Sequence, residues 1–340
     1  MGTLLCLKRT ESRALFGPIS EPPEHRAVIK RTIEISQRAA YLAVRNGQLL
    51  IHPRDGDRDA LLGQTPCEDV GVLLVDHPAV TYSHAALAAL LEHDAAVVLC
   101  GRDHLPAGLL LPIGEHSQVV WRIRLQLAAK RPLRKRLWRQ IVRAKVRAQA
   151  LNLPSGSDTR SKLLALARNI RSGDPENIEA QAARAYWNAW RSALGGTDFQ
   201  PANSSFRRDP DGPPPNNLLN YGYAVLRAAV ARAIVAAGLL PAIGIHHRHR
   251  ANAFCLADDL VEPLRPMVDV RVADLVRGGE TELSPDAKRG LLELLTVEVR
   301  AGDQTGPLMV ALHRYAASFV KCLEGLSERL EIPMRAGEND

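Results

Sequence analysis

The pattern of hydrophobic and polar positions divides the chain into two parts that meet near residue 114. In residues 29–114, apolar runs of strand length occur at 71–75 and 95–100, and an Asn-Gly pair at 46–47 joins two alternating segments. Such a pair favours a β-hairpin turn. Between the two apolar runs, residues 83–93 carry leucines at helical spacing. This part of the chain is therefore predicted to be a small β-rich domain, β-sandwich-like, with one helix.

Residues 115–335 follow a helical pattern instead. A long helical stretch covers 117–153 with an interruption near Pro132, and Asp174, followed by proline, has the features of a helix N-cap. Residues 218–237 form an apolar, alanine-rich segment that a glycine ends. The sequence thus predicts an α+β protein in which a larger all-α domain follows the β-rich one.

Two segments lack periodicity. Residues 1–28 are predicted to be a disordered N-terminal extension, and the Pro/Gly-rich residues 203–217 to be a mobile loop. The five cysteines are scattered without a C-x-x-C pair, which is typical of a reducing compartment. No apolar run is long enough to suggest a membrane span. A cytoplasmic protein without a membrane partner is expected.

Charge changes this picture in one region. Lys and Arg together number 44 against 37 acids, a net charge of +7, and residues 130–147 hold nine basic residues and no acid. Lys135, Arg139, Arg143 and Arg147 recur every four positions, so they share one face of a helix. Such a face suits a phosphate backbone, although a solvated charged surface is the alternative interpretation.

Candidate chemistry is concentrated between residues 245 and 266. This segment contains three histidines and three carboxylates with arginines among them: His246, His247, His249, Asp258, Asp259, Glu262, Arg248, Arg250 and Arg265. Carboxylate oxygens and an imidazole nitrogen suit Mg²⁺ or Mn²⁺, and the arginines suit a phosphate beside the metal. A solvated loop before an ordinary helix remains the alternative. Glu179, in line with two alanines and two aromatic side chains, is either a surface acid or a further ligand.

These segments, in this order, resemble the CRISPR-associated adaptation integrase family, the endonucleases numbered first among the Cas proteins. The resemblance extends from about Lys30 to Leu330. It rests on seven stretches: N-G-Q-L-L-I (46–51), E-D-V-G-V-L-L-V-D-H-P (68–78), H-L-P-A-G-L-L-L-P (104–112), L-W-R-Q-I-V-R-A-K-V-R-A-Q-A (137–150), N-I-E-A-Q-A-A-R-A-Y-W (177–187), L-L-N-Y-G-Y-A-V-L-R-A (218–228) and G-I-H-H…D-D-L-V-E-P-L-R-P (244–266). The block from residue 137 is most similar to members from type II systems, which also carry Cas9.

The resemblance implies a dimerisation domain at 29–114 and a catalytic domain at 115–335. It implies that Glu179, His247 and Glu262 are the catalytic residues and hold Mg²⁺ or Mn²⁺. Residues expected around that centre are Asp259, His246 and Tyr186. The residues expected to bind DNA are Lys135, Arg139, Arg143, Lys145, Arg147, Arg184, Arg248, Arg250 and Arg265. The additional His249 departs from the family pattern and keeps a second histidine open as the ligand.

The implied activity is the insertion of short foreign DNA fragments, or spacers, into a repeat array through attack of a 3′-OH on a phosphodiester. Double-stranded DNA, a second copy of this chain and the second Cas adaptation protein are the expected partners, with Cas9 and an accessory adaptation protein as further candidates. Two alternatives stay open. The chain could be a partner-independent, structure-selective metal nuclease acting on branched DNA, or a non-catalytic DNA-binding scaffold.

Overall fold

A computed structural model describes residues 30–55, 60–102, 104, 106–113, 116–194, 208–209 and 212–335 of the chain. The predicted N-terminal extension and part of the predicted loop at 203–217 lie outside these described residues. All structural statements below concern the described part of the chain.

Among its described residues, the first part of the chain contains eight strands and one α-helix. They are β1 (Arg31–Ile35), β2 (Ala40–Arg45), β3 (Gln48–Pro53), β4 (Gly63–Pro66), β5 (Val70–Val75), β6 (Thr81–Tyr82), α1 (His84–Glu92), β7 (Ala96–Cys100) and β8 (Pro106–Leu110). The strands form two sheets, ordered β1-β5-β7-β8 and β4-β3-β2-β6. In the first sheet β1, β5 and β7 are parallel, and β8 pairs antiparallel with β7. Strands therefore dominate this part, as predicted.

Local turn and cap chemistry explains the elements that the sequence predicted best. Asn46 and Gly47 have φ values of 52° and 71° at the tip of the β2–β3 hairpin, a left-handed conformation that these two residue types tolerate. Ser83 caps α1 by accepting a hydrogen bond from the backbone N–H of Ala86. Both predictions are confirmed.

The second part of the chain is mainly helical. Its helices are α2 (Val119–Ala128), α3 (Arg131–Leu151), α4 (Asp158–Asn169), α5 (Ile178–Ala193), α6 (Asn216–Ala236), α7 (Cys255–Val261), α8 (Arg265–Arg277), α9 (Pro285–Leu292) and α10 (Leu308–Glu324). A 3-10 turn at Glu262–Leu264 joins α7 to α8. Pro132 lies in the first turn of α3, where a missing N–H costs nothing, so the predicted interruption is confirmed.

The prediction of an all-α second part is wrong in one respect. Strands β9 (Glu298–Ala301), β10 (Gln304–Pro307) and β11 (Met334–Arg335) form a small antiparallel sheet ordered β10-β9-β11. These strands have two to four residues, which is too short for an alternating pattern to be recognised in the sequence. The chain is thus a mixed α/β protein in which most strands come first and most helices follow.

The predictions about cysteines and membrane spans have different outcomes. The four described cysteines, Cys67, Cys100, Cys255 and Cys322, form no disulfide, as predicted. In contrast, α6 has the length and the apolar composition that a helix needs to cross a membrane. In the structure, 78% of its most apolar window is buried inside the protein, which is the position of a core helix.

The first sheet packs on both of its faces. Alternate residues of a strand point to opposite faces, and here Val72, Leu74 and Val98 join the core formed by the helices. Their neighbours Leu73 and Val97 join a second core between the two sheets and α1. The helical part of the protein therefore packs directly on strands β5 and β7.

A buried ion pair also links the strands to the helices. The side chains of Asp76, after β5, and Lys288, on α9, are 1% and 6% exposed and form a salt bridge. The other carboxylate oxygen of Asp76 lies 2.9 Å from Nδ1 of His104. Since a buried charge is costly without a partner, Lys288 stabilises the position of Asp76.

We expect Lys288→Met to destabilise the protein by about 3–5 kcal/mol, because the substitution leaves the buried Asp76 carboxylate without its lysine. The adjacent substitution Arg289→Met serves as the control. It breaks an exposed pair with Asp286, and such pairs contribute about 0–1 kcal/mol. Urea denaturation of both variants measures the difference, and equal losses of stability would contradict this role of Lys288.

A second prediction concerns His313 on α10. Burial and the nearby Arg232 and Lys30 lower the pKa of His313 from 6.5 to about 4. The folded state thus binds fewer protons than the unfolded state between these pH values, so stability falls as the pH drops from 6.5 to 4.

His313→Gln should flatten this loss, because glutamine does not titrate in this pH range. Glutamine also still offers an acceptor to Arg232, whose Nη1 lies 2.9 Å from Nε2 of His313. The measurement is the thermal unfolding midpoint at a series of pH values. His84→Gln, which removes an exposed imidazole, is the control. If both substitutions changed the profile equally, the buried His313 would not be its source.

Candidate active site

Helix α3 presents two functional side chains on one face. Trp138 and Lys145 are seven residues apart, which places them two turns apart on the same side of a helix. Trp138 is buried, and its ring stacks on the imidazole of His246 with centroids 3.9 Å apart and planes 4° apart. This stack fixes the loop before α7 against α3.

Glu179 lies in the first turn of α5. The sequence predicted a helix start at Asp174, but α5 begins at Ile178. The two carboxylate oxygens of Asp174 instead accept hydrogen bonds from the backbone N–H groups of Ile178 and Glu179, both at 2.9 Å. Asp174 therefore still satisfies free N–H groups of the helix from a position outside it, and it holds the backbone of Glu179.

The ammonium of Lys145 joins Glu179 to Glu262. Its Nζ lies 2.6 Å from Oε1 of Glu179 and 2.5 Å from Oε2 of Glu262. The three side chains are 12%, 24% and 7% exposed, respectively. Lys145 was among the predicted DNA-binding residues, whereas the structure places it between two of the predicted metal ligands.

These charges shift one another's protonation. Burial acts to raise the pKa of Glu262, but Lys145 and Arg265 outweigh it, and the pKa lies below its ordinary value. Burial likewise acts to lower the pKa of Lys145, and the two carboxylates outweigh it, so that pKa is raised. Both acid and base are therefore held in their charged forms at neutral pH.

Arg265 is a second cation on Glu262. Its Nε lies 3.0 Å from Oε1 of Glu262. The N–H is not well aligned with that oxygen, so the contact is an ion pair more than a hydrogen bond. The guanidinium also lies over the ring of Tyr223, 4.8 Å from its centroid. Arg265, predicted to bind DNA, is thus engaged by groups of the protein itself.

Asp259 organises the loop that carries the histidines. This fully buried carboxylate accepts hydrogen bonds from the backbone N–H groups of Ile245, His246 and His247 at 2.6–3.0 Å. Gly244 allows the close turn, because a Cβ there would lie 2.5 Å from the carbonyl oxygen of His247 and 2.8 Å from Oδ2 of Asp259. Asp259 and Glu262, three residues apart, thus bind different partners.

The same carboxylate orients the imidazole of His247. Nδ1 lies 2.8 Å from Oδ1 of Asp259, and because a carboxylate accepts, Nδ1 carries the proton. This hydrogen bond raises the pKa of His247 above its ordinary value. Nε2 is left as the ligand atom of the neutral ring, as in metal-bound histidines whose other nitrogen binds a carboxylate.

The other two histidines have different surroundings. Partial burial lowers the pKa of His246, whose ring stacks on Trp138. His249 is exposed, and its Nδ1 lies 3.4 Å from the backbone N of Ala251. The structure thus associates His247, rather than His249, with a buried carboxylate.

The donor set fits a divalent cation. Oxygens of Glu179 and Glu262 already converge on one positively charged atom, and hard oxygen ligands with an imidazole suit Mg²⁺ or Mn²⁺. Among the described residues, no three His, Cys, Asp or Glu side chains gather tightly enough to hold a metal as they stand. Lys145 lies between one oxygen of each carboxylate, so an ion bound through these two oxygens would take the place of its ammonium.

Tyr186 belongs to a buried network behind Glu179. Its hydroxyl donates to Oδ2 of Asp269 at 2.9 Å and accepts from Nδ2 of Asn152 at 3.0 Å. Tyr223 donates to the other oxygen of Asp269. Burial raises the pKa of Asp269 to about 6 despite these hydrogen bonds. Tyr186 therefore holds α5 against α8 through Asp269.

The remaining predicted DNA-binding residues lie nearer the surface. Arg139, Arg143, Arg184, Arg248 and Arg250 are exposed, while Lys135 and Arg147 are half-buried. Arg139 also donates from Nε to the carbonyl oxygen of Ile170 at 2.9 Å. Most of the predicted set is thus accessible, and Lys145 and Arg265 differ from it by their contacts with acids.

A basic cleft borders the loop that carries His246, His247 and His249, which we call the histidine loop. It has a volume of about 360 Å³, and none of the described residues that line it is an acid. Its lining residues are Arg131, Arg134, Lys135, Trp138, Gly173, Ile245, His246 and Arg248. Arg131, Arg134 and Trp138 were not among the predicted site residues. The nine basic residues within 130–147 were the available signal, but they do not tell which turn of α3 faces the loop.

Comparison with known proteins identifies the family. The model of the family described as CRISPR associated protein Cas1 matches residues 33–292. The CRISPR-associated endonuclease Cas1 of Neisseria meningitidis serogroup C (strain 8013) is 37% identical over 287 residues, which cover 83% of this chain and 89% of that protein.

Two solved structures share the fold. One, described as "Casposase bound to integration product", has a TM-score of 0.73 and 19% identity, and the match covers 91% of this chain and 94% of that one. The other, described as "Cas6-RT-Cas1--Cas2 complex", has a TM-score of 0.69 and 18% identity, and the match covers 94% of this chain and 38% of that one. With a family match over most of its length, the chain belongs to the Cas1 family of CRISPR-associated proteins.

Proposed function

We propose that this chain is a metal-dependent DNA endonuclease and integrase of CRISPR adaptation, which inserts spacers into the repeat array. One observation carries the proposal: Glu179 and Glu262, distant in sequence, converge on the ammonium of Lys145, and Asp259 orients the imidazole of His247. The relative from Neisseria is named an endonuclease, and a chain of the same fold was solved with an integration product.

In this proposal Glu179, Glu262 and Nε2 of His247 hold Mg²⁺ or Mn²⁺, which would polarise the scissile phosphodiester. Asp259 keeps the proton on Nδ1, so that Nε2 stays available. Arg265, paired with Glu262, balances part of the negative charge of the carboxylates. The nucleophile is the 3′-OH of the incoming DNA for joining, or water for cleavage. Exchange of one phosphodiester for another requires no ATP.

The basic cleft and the exposed arginines are the proposed DNA-binding surface. The cleft reaches His246, next to the proposed ligand His247, and cationic side chains line it from both α3 and the histidine loop. Phosphate contacts from such side chains position a duplex without reading its sequence. We propose that Lys135, Arg139, Arg143, Arg147, Arg184, Arg248 and Arg250 contribute to this surface.

The proposed assembly is a homodimer formed through residues 29–114, bound to the second adaptation protein, Cas2. Support for Cas2 comes from the fold shared with a chain of the Cas6-RT-Cas1--Cas2 complex. Two catalytic subunits related by two-fold symmetry would join two 3′ ends to opposite strands of a repeat. The resemblance to type II members extends the proposed partners to Cas9 and an accessory adaptation protein.

Strand transfer tests the site. With Cas2, a duplex with 3′ overhangs, a repeat plasmid and Mn²⁺, the wild-type chain should give joined products. Glu179→Gln, Glu262→Gln and His247→Ala should each reduce activity by more than the roughly 10- to 100-fold that removal of an outer partner of a metal ligand costs.

Glu176→Gln is the matched control, since Glu176 lies near the start of α5 but pairs with Arg171 at the surface. This variant should retain wild-type activity. Cleavage without joining would instead support the partner-independent nuclease, and DNA binding alone would support the scaffold. Full activity of Glu262→Gln would contradict the metal centre.

Salt dependence tests the surface. The double substitution Lys135→Gln/Arg248→Gln should weaken DNA binding and reduce the slope of log K against log salt concentration by about 0.9 for each phosphate that the variant no longer neutralises. The control Arg136→Gln/Lys321→Gln removes the same charge elsewhere, since Arg136 pairs with Glu328 and Lys321 is exposed on α10. Equal slopes for the two double variants would contradict the cleft as a DNA-binding site.

A further inference from the structure

Lys145 occupies a place that both proposed carboxylate ligands reach. Its ammonium lies within 2.6 Å of an oxygen from each of Glu179 and Glu262, and its side chain is only 12% exposed. A divalent ion bound through these same two oxygens would lie in the same space. Two positive charges a few ångströms apart repel strongly in a partly buried site. The ammonium and the metal therefore exclude each other.

A displaced ammonium finds no carboxylate waiting for it among the described acids around the site. Asp259 already accepts three backbone hydrogen bonds and the imidazole of His247. Asp258 pairs with Arg227, 2.9 Å away, and accepts from Asn252. Asp269 is fully buried and bound by two tyrosine hydroxyls. Release of Lys145 is thus costly until another anion enters.

We propose that Lys145 is a placeholder that couples metal binding to DNA binding. Its ammonium holds Glu179 and Glu262 together, a divalent cation displaces it, and a DNA phosphate then becomes its partner. The inference rests on the proposed function and adds a dependence of metal affinity on DNA: the metal binds weakly to the free protein and tightly once DNA is present. By linkage, the metal strengthens DNA binding by the same factor.

Substitution of Lys145 tests the coupling. The free Mn²⁺ concentration, followed by electron paramagnetic resonance, gives the Kd of the full chain with and without a duplex carrying 3′ overhangs. In the wild type we expect DNA to tighten Mn²⁺ binding within the range of about 5- to 150-fold that is usual for coupled sites. Lys145→Met should bind Mn²⁺ more tightly than the wild type without DNA, and its factor of tightening by DNA should be smaller.

Lys162→Met is the matched control, because Lys162 is an exposed lysine on α4. It should keep both the wild-type Kd and the wild-type coupling factor. Equal or weaker Mn²⁺ binding by Lys145→Met without DNA, or an unchanged coupling factor, would overturn the placeholder role.

A measurement on the wild-type chain guards against misfolding of Lys145→Met. Acetylation of lysine amines followed by mass spectrometry reports the release of Lys145, with Lys162 as the internal reference. The ammonium held by two carboxylates should react slowly, and saturating Mg²⁺ without DNA should accelerate its acetylation several-fold. DNA added with the metal should protect it again. An unchanged rate at saturating metal would overturn the inference.

These outcomes separate the two proposals. If Glu262→Gln abolished strand transfer while Lys145→Met left the metal affinities unchanged, the metal centre would stand and the placeholder role would fall. If the wild-type chain bound no Mn²⁺ with or without DNA, the proposed metal-dependent function itself would fail.

Discussion

The ammonium of Lys145 is the contact on which the arrangement of the site depends. Three segments meet there: the middle of α3, the first turn of α5 and the 3-10 turn after α7. Without a cation between them, two carboxylates this close would repel each other. The surrounding structure fits this requirement. The Trp138–His246 stack joins α3 to the histidine loop, Asp174 fixes the start of α5, and Arg265 adds a second positive charge.

Elements encoded by a few adjacent residues could be predicted from the sequence. The Asn-Gly hairpin, the serine-capped α1 and the apolar α6 all follow from local preferences. The start of α5 could not be predicted to the residue, because Asp174 caps N–H groups four and five positions away. The sheet of β9, β10 and β11 was missed because β11 pairs with β9 across more than thirty residues of chain. The packing of β5 and β7 into two cores, one on each face of the sheet, likewise depends on residues distant in sequence.

The candidate site shows the same division. The acids and histidines were recognised as a set, since residue types and family motifs carry that information. Their partners were not. Periodicity placed Lys145 among the other basic residues of α3, and nothing local distinguishes a lysine that meets two carboxylates from one that faces solvent. The requirement for glycine at position 244 could not be predicted either, because the carbonyl and carboxylate that exclude a Cβ there come from residues 247 and 259.

The two-sided packing of the first sheet affects how the protein can be divided. A fragment that began after residue 115 would lose Val72, Leu74 and Val98 from the core that surrounds the helices. It would also lose Asp76, leaving the buried ammonium of Lys288 without its counter-ion. An exposed apolar surface favours aggregation, and a buried charge without its counter-ion destabilises the fold. A minimal catalytic fragment, whether cut by a protease or designed for expression, must therefore keep strands β5 and β7.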